Sequence, residues 1–475
     1  MAAHQRQGIL QNLRWLMGAN LAVKPVWFLF LLLSTRLLGP EEFGRFMFAM
    51  SYVGIISFLC EGGVDVFTMR ELSTDPGRFR RMFSQTLLLK VFAGVLVAVV
   101  TFVSAYVIGL SEGALLLVCI AIIYSVVNAM MTHARYVFRA FEVMRLEARS
   151  IFIEKMAVVL FCGAALLLSH DALLFMSAFA LAYVISSAMT LVMVARNIGL
   201  PQWTVDARAL WNGILKPALP FALMTFFQTV YYRAGTLMLQ WQTGSDTIVG
   251  YYNAGYRLVE GFALFPTIIA MPLYASFARS REDKTLAVRL LPGAVRMLLA
   301  LSTLIAVPFL ALGADITRLV YGPAFEPAAP AIGLIVLTMI PLGMNWLLTS
   351  LAGAIDRQRM LNVFIVLLSV MNIAAYYLLI GQFGLMGAAW TTLLTELGMA
   401  ASAFWIVRDY MDRRALATSL VGVAAPALVA VFLGASGFLP GPFAVRLVLC
   451  LTVLLGGFFL TGVLRMSEIR TLLSR

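Results

Sequence analysis

The sequence is poor in charged residues for its length. Only 12% of its 475 residues are charged, whereas 61% are apolar; an average soluble domain is about a quarter charged. Too little polar surface remains to keep a chain of this size in solution. The composition therefore excludes a soluble enzyme, a disordered chain and a secreted disulfide scaffold, and it predicts an integral membrane protein.

Cysteine and histidine are also scarce. All four cysteines lie in long apolar runs without paired spacing, which favours packing over a disulfide or a metal site. His4, His133 and His170 lie in separate regions, so we expect no metal site and no acid–base cluster from them. The phosphate-binding pattern Gly-x-x-x-x-Gly-Lys-Ser/Thr does not occur. These absences predict a protein that is not an enzyme and has no cofactor.

Long apolar runs occupy most of the chain. A helix needs about 20 apolar residues to cross a bilayer core, and by this rule we predict fourteen membrane spans in an all-α protein. The connectors are too short to hold a soluble domain, so the function must lie within the membrane or at its faces. The spans are predicted at 16–38, 44–66, 85–109, 113–134, 151–168, 172–194, 215–240, 249–272, 290–312, 329–352, 361–380, 385–407, 419–437 and 444–464.

Basic residues are distributed unevenly between the connectors. With the N-terminus inside, the inner segments contain 25 Lys and Arg residues, and the outer connectors with their flanks contain Arg36, Arg45, Arg318 and Arg446. Cytoplasmic loops are enriched in Lys and Arg, so this bias predicts that both termini are cytoplasmic. It also supports the span count, because a missed span would invert every later loop.

The hydropathy pattern of the first six spans is repeated by the next six. Two halves that both start from the inside are parallel repeats, and transporters built in this way bind substrate where the repeats meet. We therefore predict four segments along the chain. They are an N-lobe at 1–194, a cytoplasmic connector at 195–216, a C-lobe at 217–407, and two further helices with a cytoplasmic tail at 408–475.

Some ionisable residues lie within the predicted spans but near their inner ends. Such residues can extend their side chains to the membrane surface, and we expect this of Lys90, Glu154, Lys155 and Arg296. Lys24 lies near the middle of span one, and the following Pro25 should bend that helix.

The deepest charges fall mostly in spans one, two, seven and eight. Ionisable groups at this depth are costly and usually face a cavity or a partner. One interpretation is structural pairing, of Arg257 with Glu260 and of Lys24 with Glu61. The other is a hydrated cavity in which bases bind an anionic ligand such as a phosphate. The deep bases are Lys24, Arg233 and Arg257, and the deep acids are Glu61, Asp65, Glu260 and Glu396.

Four segments form recognisable motifs: Arg36–Gly44 (RLLGPEEFG), Met69–Leu72 (MREL), Asp315–Phe325 (DITRLVYGPAF) and Gln382–Ala389 (QFGLMGAA). They resemble motifs of the polysaccharide-transporter family of the MOP flippase superfamily. The likeness, which includes the number of spans, extends over essentially the whole chain.

This resemblance implies a fold of two six-helix lobes around a V-shaped cavity, with two additional C-terminal helices. It implies a Wzx-like flippase that moves a polyprenyl-diphosphate-linked oligosaccharide, an O-antigen or exopolysaccharide repeat unit, across a bacterial inner membrane. The alternatives are a lipid II flippase, an ion-coupled multidrug exporter, or a membrane scaffold for glycan assembly that transports nothing. The expected partners are the lipid-linked oligosaccharide, membrane lipids, a coupling H⁺ or Na⁺, and a glycan polymerase, without nucleic acid.

Specific residues are candidates for these roles. Lys24, Arg233, Arg257 and Glu260 are predicted to bind the diphosphate and sugars, because the cavity of the family is expected to be cationic. Glu61, Asp65 and Glu396 are predicted to bind the coupling cation, because carboxylates at membrane depth need a counter-charge.

Overall fold

The structure, a computed structural model, describes residues 9–61, 63–202, 215–262, 284–436 and 441–464, together with residues 273, 277, 280 and 438. Throughout these residues the regular structure is helical, and no strand occurs among them. This confirms the predicted all-α fold.

Long apolar helices confirm a multi-pass membrane protein. Within the described residues, ten helical stretches are long and apolar enough to cross a membrane. Two of them, Val23–Ile56 and Gln358–Tyr410, are longer than one crossing requires. Gln358–Tyr410 contains the predicted spans 361–380 and 385–407, and Val23–Ile56 contains most of 16–38 and the first part of 44–66. In both stretches the short connector between the spans is itself helical apart from one glycine.

The chain forms two compact units, Met1–Leu237 and Met238–Arg475. The predicted connector at 195–216 precedes this division, and residues 203–214 of it lie outside the described residues. The helices of the first unit are α1 (Ile9–Ile56), α2 (Phe58–Glu61), α3 (Val64–Thr74), α4 (Phe79–Ile108), α5 (Glu112–Ala140), α6 (Met144–Leu168), α7 (Ala172–Asn197) and most of α8 (Lys216–Thr243).

The second unit begins within α8 and continues with helices of varied length. Its predicted span at 329–352 consists of two helices that meet at Thr338. The helices are α9 (Asp246–Phe262), α10 (Lys284–Ala311), α11 (Gly313–Tyr321), α12 (Ala329–Leu337), α13 (Met339–Ala354), α14 (Gln358–Val407), α15 (Arg413–Ala435) and α16 (Phe443–Leu460).

The predicted span at 44–66 is discontinuous. The second half of α1 ends at Ile56, and the short α2 and then α3 follow. Gly63 before α3 has a φ of 71°, which glycine adopts without the steric cost that a side chain would add. The break leaves backbone groups without helical partners at a point where the chain crosses apolar surroundings, and such groups need other partners.

Candidate functional site

Lys24 lies on α1 with an exposed side chain. No hydrogen bond or ion pair joins it to another residue of the described part of the chain. The backbone remains helical through Pro25, and the departure from helical geometry in α1 occurs instead at Gly39, with φ 74° and ψ 172°. The predicted pairing with Glu61 stays a prediction, because the side chain of Glu61 lies outside the described residues.

Arg233 on α8 is half-buried against the second half of α1. Its Nη1 donates a hydrogen bond of 3.4 Å to the carbonyl oxygen of Met50. The side chain lies directly over Gly54, where an added Cβ would come within 2.6 Å of its Nε. The absence of a side chain at Gly54 therefore allows the guanidinium to lie flat on α1.

Arg257 and Glu260 form an ion pair on α9. Nη1 of Arg257 lies 2.6 Å from Oε2 of Glu260, as residues three apart on one helix face allow. The Arg257 side chain is 16% exposed and that of Glu260 is 57% exposed. The predicted pair is confirmed, and its carboxylate side is the more exposed of the two.

Asp65 on α3 belongs to a buried ionic cluster. Its carboxylate lies 3.0 Å from the ammonium of Lys90 on α4, and the side chain of Lys90 is 1% exposed. The same ammonium donates to the carbonyl oxygen of Cys60 at 2.9 Å. The expectation that Lys90 extends to the membrane surface is therefore wrong, since a carboxylate and a carbonyl hold it in the interior.

His133 on α5 completes this cluster. Its Nδ1 lies 2.7 Å from Oδ1 of Asp65, and its Nε2 lies 2.7 Å from the hydroxyl of Thr86. The ring is fully buried and stacks on Phe83. This contact of His133 was not anticipated from the sequence, because packing of three helices brings together residues that are distant in sequence.

A second buried cluster surrounds Glu154 on α6. Its carboxylate lies 2.6 Å from Arg135 and 2.6 Å from Lys155, and it accepts a hydrogen bond of 2.8 Å from Tyr183. The Lys155 ammonium also lies 4.1 Å from the centre of the Trp27 ring. The expectation that Glu154 reaches the membrane surface is wrong, since only 4% of its side chain is exposed.

Glu396 on α14 is buried in the second unit. Its Oε2 accepts a hydrogen bond of 2.7 Å from the amide of Asn345 on α13. The side-chain carbonyl oxygens of Asn345 and Asn372 are buried and have no hydrogen-bond partner among the described residues. Carboxylate and amide oxygens are the ligands that hard cations prefer.

The structure groups the predicted site residues differently from their order in the sequence. Lys24, Arg233 and Asp65 belong to the first unit, and the Arg257–Glu260 pair and Glu396 belong to the second. Lys90 and His133 are the partners of Asp65 that sequence reasoning missed. The doublet Gly62-Gly63 within a predicted span is the signal that could have indicated a broken helix next to Asp65.

Solved structures with the same fold are membrane transporters. The lipid II flippase MurJ in an inward closed conformation matches with a TM-score of 0.76 at 12% identity, over 97% of this chain and 99% of that one. An inward-facing multidrug resistance MATE family transporter of the MOP superfamily matches with a TM-score of 0.64 at 12% identity, over 82% of this chain and 97% of that one.

A MOP superfamily transporter from Pyrococcus furiosus matches with a TM-score of 0.56 at 11% identity, over 84% of this chain and 94% of that one. At such low identities these likenesses establish only the fold that this chain shares with those transporters. Comparison with curated proteins gives no match.

Comparison of the sequence with models of protein families identifies its family. The model for polysaccharide biosynthesis proteins matches residues 9–280, which is more than half of the chain. The match includes the helices that contain Lys24, Asp65, Arg233 and Arg257, and it confirms the resemblance inferred from the motifs. The chain belongs to the polysaccharide biosynthesis protein family.

Proposed function

We propose that the protein is a flippase that moves a polyprenyl-diphosphate-linked oligosaccharide from the cytoplasmic to the outer leaflet of a bacterial inner membrane. Membership of the polysaccharide biosynthesis protein family is the observation that carries this proposal. The fold supports it, because a lipid II flippase shares that fold along nearly the whole of both chains. The protein works by alternating access, without catalysis, and with both termini in the cytoplasm.

The extent of the fold match favours a lipid-linked substrate over a cationic drug. The lipid II flippase covers 97% of this chain, whereas the multidrug transporter covers 82%. Deep bases also oppose a cationic cargo, since like charges repel. Among lipid-linked substrates, lipid II is the second candidate, because its flippase has the higher TM-score.

Basic side chains lower the barrier to moving a diphosphate. Even one charged side chain at the bilayer centre costs about 3 kcal/mol or more. Lys24 is exposed, and the Arg257–Glu260 pair is accessible through its carboxylate. We assign Lys24, Arg233 and Arg257 to the diphosphate at successive stages of transport, with Glu260 as the counter-ion that the diphosphate displaces from Arg257.

Transport needs an energy source, and the sequence has no nucleotide-binding motif. Glu61, Asp65 and Glu396 are our candidates for binding the coupling cation, and Asp65 belongs to a cluster that suits a proton and not a metal ion, because Lys90 lies against both of its carboxylate oxygens. The surroundings of Glu396 suit a metal cation best, because Asn345, whose amide nitrogen donates to Glu396, has a buried amide oxygen without a hydrogen-bond partner among the described residues. We further propose an N-lobe at 1–194, a C-lobe at 217–407 and two additional helices with a tail at 408–475. We also propose a glycan polymerase as a protein partner.

Transport of a labelled substrate into proteoliposomes tests this function. We expect Lys24→Ala, Arg233→Ala and Arg257→Ala each to slow flipping of a polyprenyl-diphosphate oligosaccharide by about tenfold or more, because a charged hydrogen bond contributes about 1.5–3 kcal/mol. Arg318→Ala, an exposed base on α11, is the matched control and should flip at the wild-type rate.

Other outcomes separate the alternatives. Normal glycan export by all three variants would favour the scaffold. Uptake of an organic cation in place of the labelled lipid would favour the exporter, and selective flipping of lipid II would favour the second candidate.

A further inference from the structure

The break between α2 and α3 is bridged by one lysine. The Lys90 ammonium donates to the carbonyl of Cys60 in α2 at 2.9 Å and contacts both carboxylate oxygens of Asp65 in the first turn of α3, at 3.0 and 3.2 Å. Half-helix ends in membranes are places where ions bind and where helices pivot. Lys90 therefore holds the two parts of this broken span in one arrangement.

The same geometry excludes a metal cation from Asp65. The Lys90 ammonium lies within 3.2 Å of both carboxylate oxygens, and His133 takes a second position on Oδ1 at 2.7 Å. A sodium ion could reach the carboxylate only by displacing the ammonium into surroundings where every member of the cluster is at most 6% exposed. What this cluster can accept is a proton, on the imidazole.

The hydrogen bonds of His133 are satisfied in two protonation states. In the neutral ring, Nδ1–H donates to Asp65 and Nε2 accepts from the Thr86 hydroxyl. When one proton adds to Nε2, the ring donates at both nitrogens. The Thr86 hydroxyl then turns to the carbonyl of Met82, which lies 2.9 Å from it. No bond between heavy atoms forms or breaks, and the only species added is the proton.

Protonation changes the charge of a sealed cluster. Among the described residues, the charged groups that face the His133 ring are Asp65 from α3 and Lys90 from α4. With a neutral ring their charges cancel. With an imidazolium the cluster carries one net positive charge without solvent, which is unfavourable. The proton-loaded state therefore favours an arrangement that admits water.

We propose that His133 binds the coupling proton in the first unit, and that its protonation opens the broken span at Gly63 by loosening the Lys90–Asp65 bridge. The proposal rests on the proposed transport function only in calling this proton the coupling ion. His133 lies about two turns before the end of α5 at Ala140, which is the predicted cytoplasmic end of that helix.

Hydrogen exchange of the purified protein in lipid nanodiscs tests the proposal directly. Amide protection of residues 58–74, corrected for intrinsic exchange rates, should fall by about tenfold or more between about pH 8 and about pH 4.5, a range that extends below the pKa of about 6.5 of a histidine in water. His133→Gln should abolish this pH response. His170→Gln, which replaces an exposed histidine, is the matched control and should keep it.

A second variant keeps the His133 ring and removes the Thr86 hydroxyl, which can either donate to the ring or accept from it. Thr86→Val cannot accept from the imidazolium, so its response should move to lower pH. Replacing K⁺ by Na⁺ at constant ionic strength should leave protection of this segment unchanged. Three results would each overturn the proposal. The first is a wild-type protein whose protection does not depend on pH, and the second is a His133→Gln protein that still responds to pH. The third is protection that depends on Na⁺ and on Asp65.

The exchange measurement needs no substrate, so it separates this proposal from the proposed function. A pH response in a protein that flips no lipid-linked oligosaccharide would refute the transport function and leave the proton site standing. If the protein flips the lipid-linked oligosaccharide but its hydrogen exchange does not respond to pH, the proton site is refuted and the transport function stands.

Discussion

Arg233 shows how one glycine positions one base. Its guanidinium rests on α1 at Gly54 and donates to the carbonyl of Met50. An arginine bound through its edge to a single carbonyl keeps further N–H groups for a second acceptor. This arrangement suits a residue that must hold its position and still bind an anion.

Filling the space above Gly54 should impair transport without removing any charge. We expect Gly54→Val to displace Arg233 and to slow flipping about as much as Arg233→Ala, and the double variant should be no slower than either, because both changes remove one interaction. Gly163→Val is the control, since the nearest atom to an added Cβ there is 3.9 Å away, in the Phe30 ring. Additive losses in the double variant would show that Gly54 and Arg233 act separately.

Residue contacts could be predicted from the sequence where they are local. The Arg257–Glu260 pair follows from a spacing of three on one helix. Asp65 and Lys90 are 25 residues apart, and Asp65 and His133 are 68 apart. Their contact depends on how α3, α4 and α5 pack, and hydropathy does not specify the rotation of a helix about its axis.

Tyr183 contributes to stability through the buried Glu154 carboxylate. We expect Tyr183→Phe to lower the free energy of unfolding by about 1.5 kcal/mol, because it removes one hydrogen bond to a charged group while Arg135 and Lys155 remain. Thermal unfolding in detergent measures the change. Tyr106→Phe, at a tyrosine that is 75% exposed, should unfold as the wild type does. Equal stability of the two variants would contradict this role.

At the level of helices, glycines determine where long helices change direction. Gly39 in α1 and Gly384 in α14 both have positive φ inside stretches that otherwise remain helical. The prediction separated spans at both places because polar or flexible residues interrupt the apolar run. The sequence could not show that Glu41 and Glu42 bind Arg45, at 2.6 and 2.7 Å, and so extend the helix through the connector.

Glu42 also links two helices that are distant in sequence. Its Oε2 accepts a hydrogen bond of 2.8 Å from the backbone N–H of Ala172, at the beginning of α7. This contact satisfies one of the free N–H groups at a helix N-terminus. It lies beyond prediction because 130 residues separate the two partners.

Gly39 offers a test of backbone conformation alone, since an added Cβ would meet no atom within 4 Å. We expect Gly39→Ala to cost about 1–3 kcal/mol in the free energy of unfolding, because its φ of 74° and ψ of 172° lie in a region that essentially only glycine occupies. Gly113→Ala also has open space but no positive φ, and it should be neutral or slightly stabilising within a helix. Thermal unfolding compares the two, and equal effects would argue against strain at Gly39.

For the whole molecule, composition was sufficient to predict the class and motifs were sufficient to predict the family. The number of apolar runs led to the right fold because every membrane helix must satisfy its own backbone hydrogen bonds. Where a span is broken, as at Gly63, counting apolar residues predicts that the chain crosses the membrane. It does not predict the ionic cluster of Asp65, Lys90 and His133 next to the break. The site was therefore harder to predict than the fold.

The basic connectors predict the orientation of the molecule in the membrane, and labelling can test this prediction. We expect Ser111→Cys, before α5, to react with an impermeant maleimide added to intact cells, and Ser73→Cys, at the end of α3, to react only after lysis. The background should be low because Cys60, Cys162 and Cys450 are buried, and replacing half-buried Cys119 by Ala lowers it further. The two sites lie at opposite ends of the membrane-crossing helix α4. If the protein inserts with its termini outside, Ser73→Cys should react in intact cells and Ser111→Cys only after lysis. That result would place the Asp65–Lys90–His133 cluster toward the outer face, and the proton that loads it would then have to come from outside the cell.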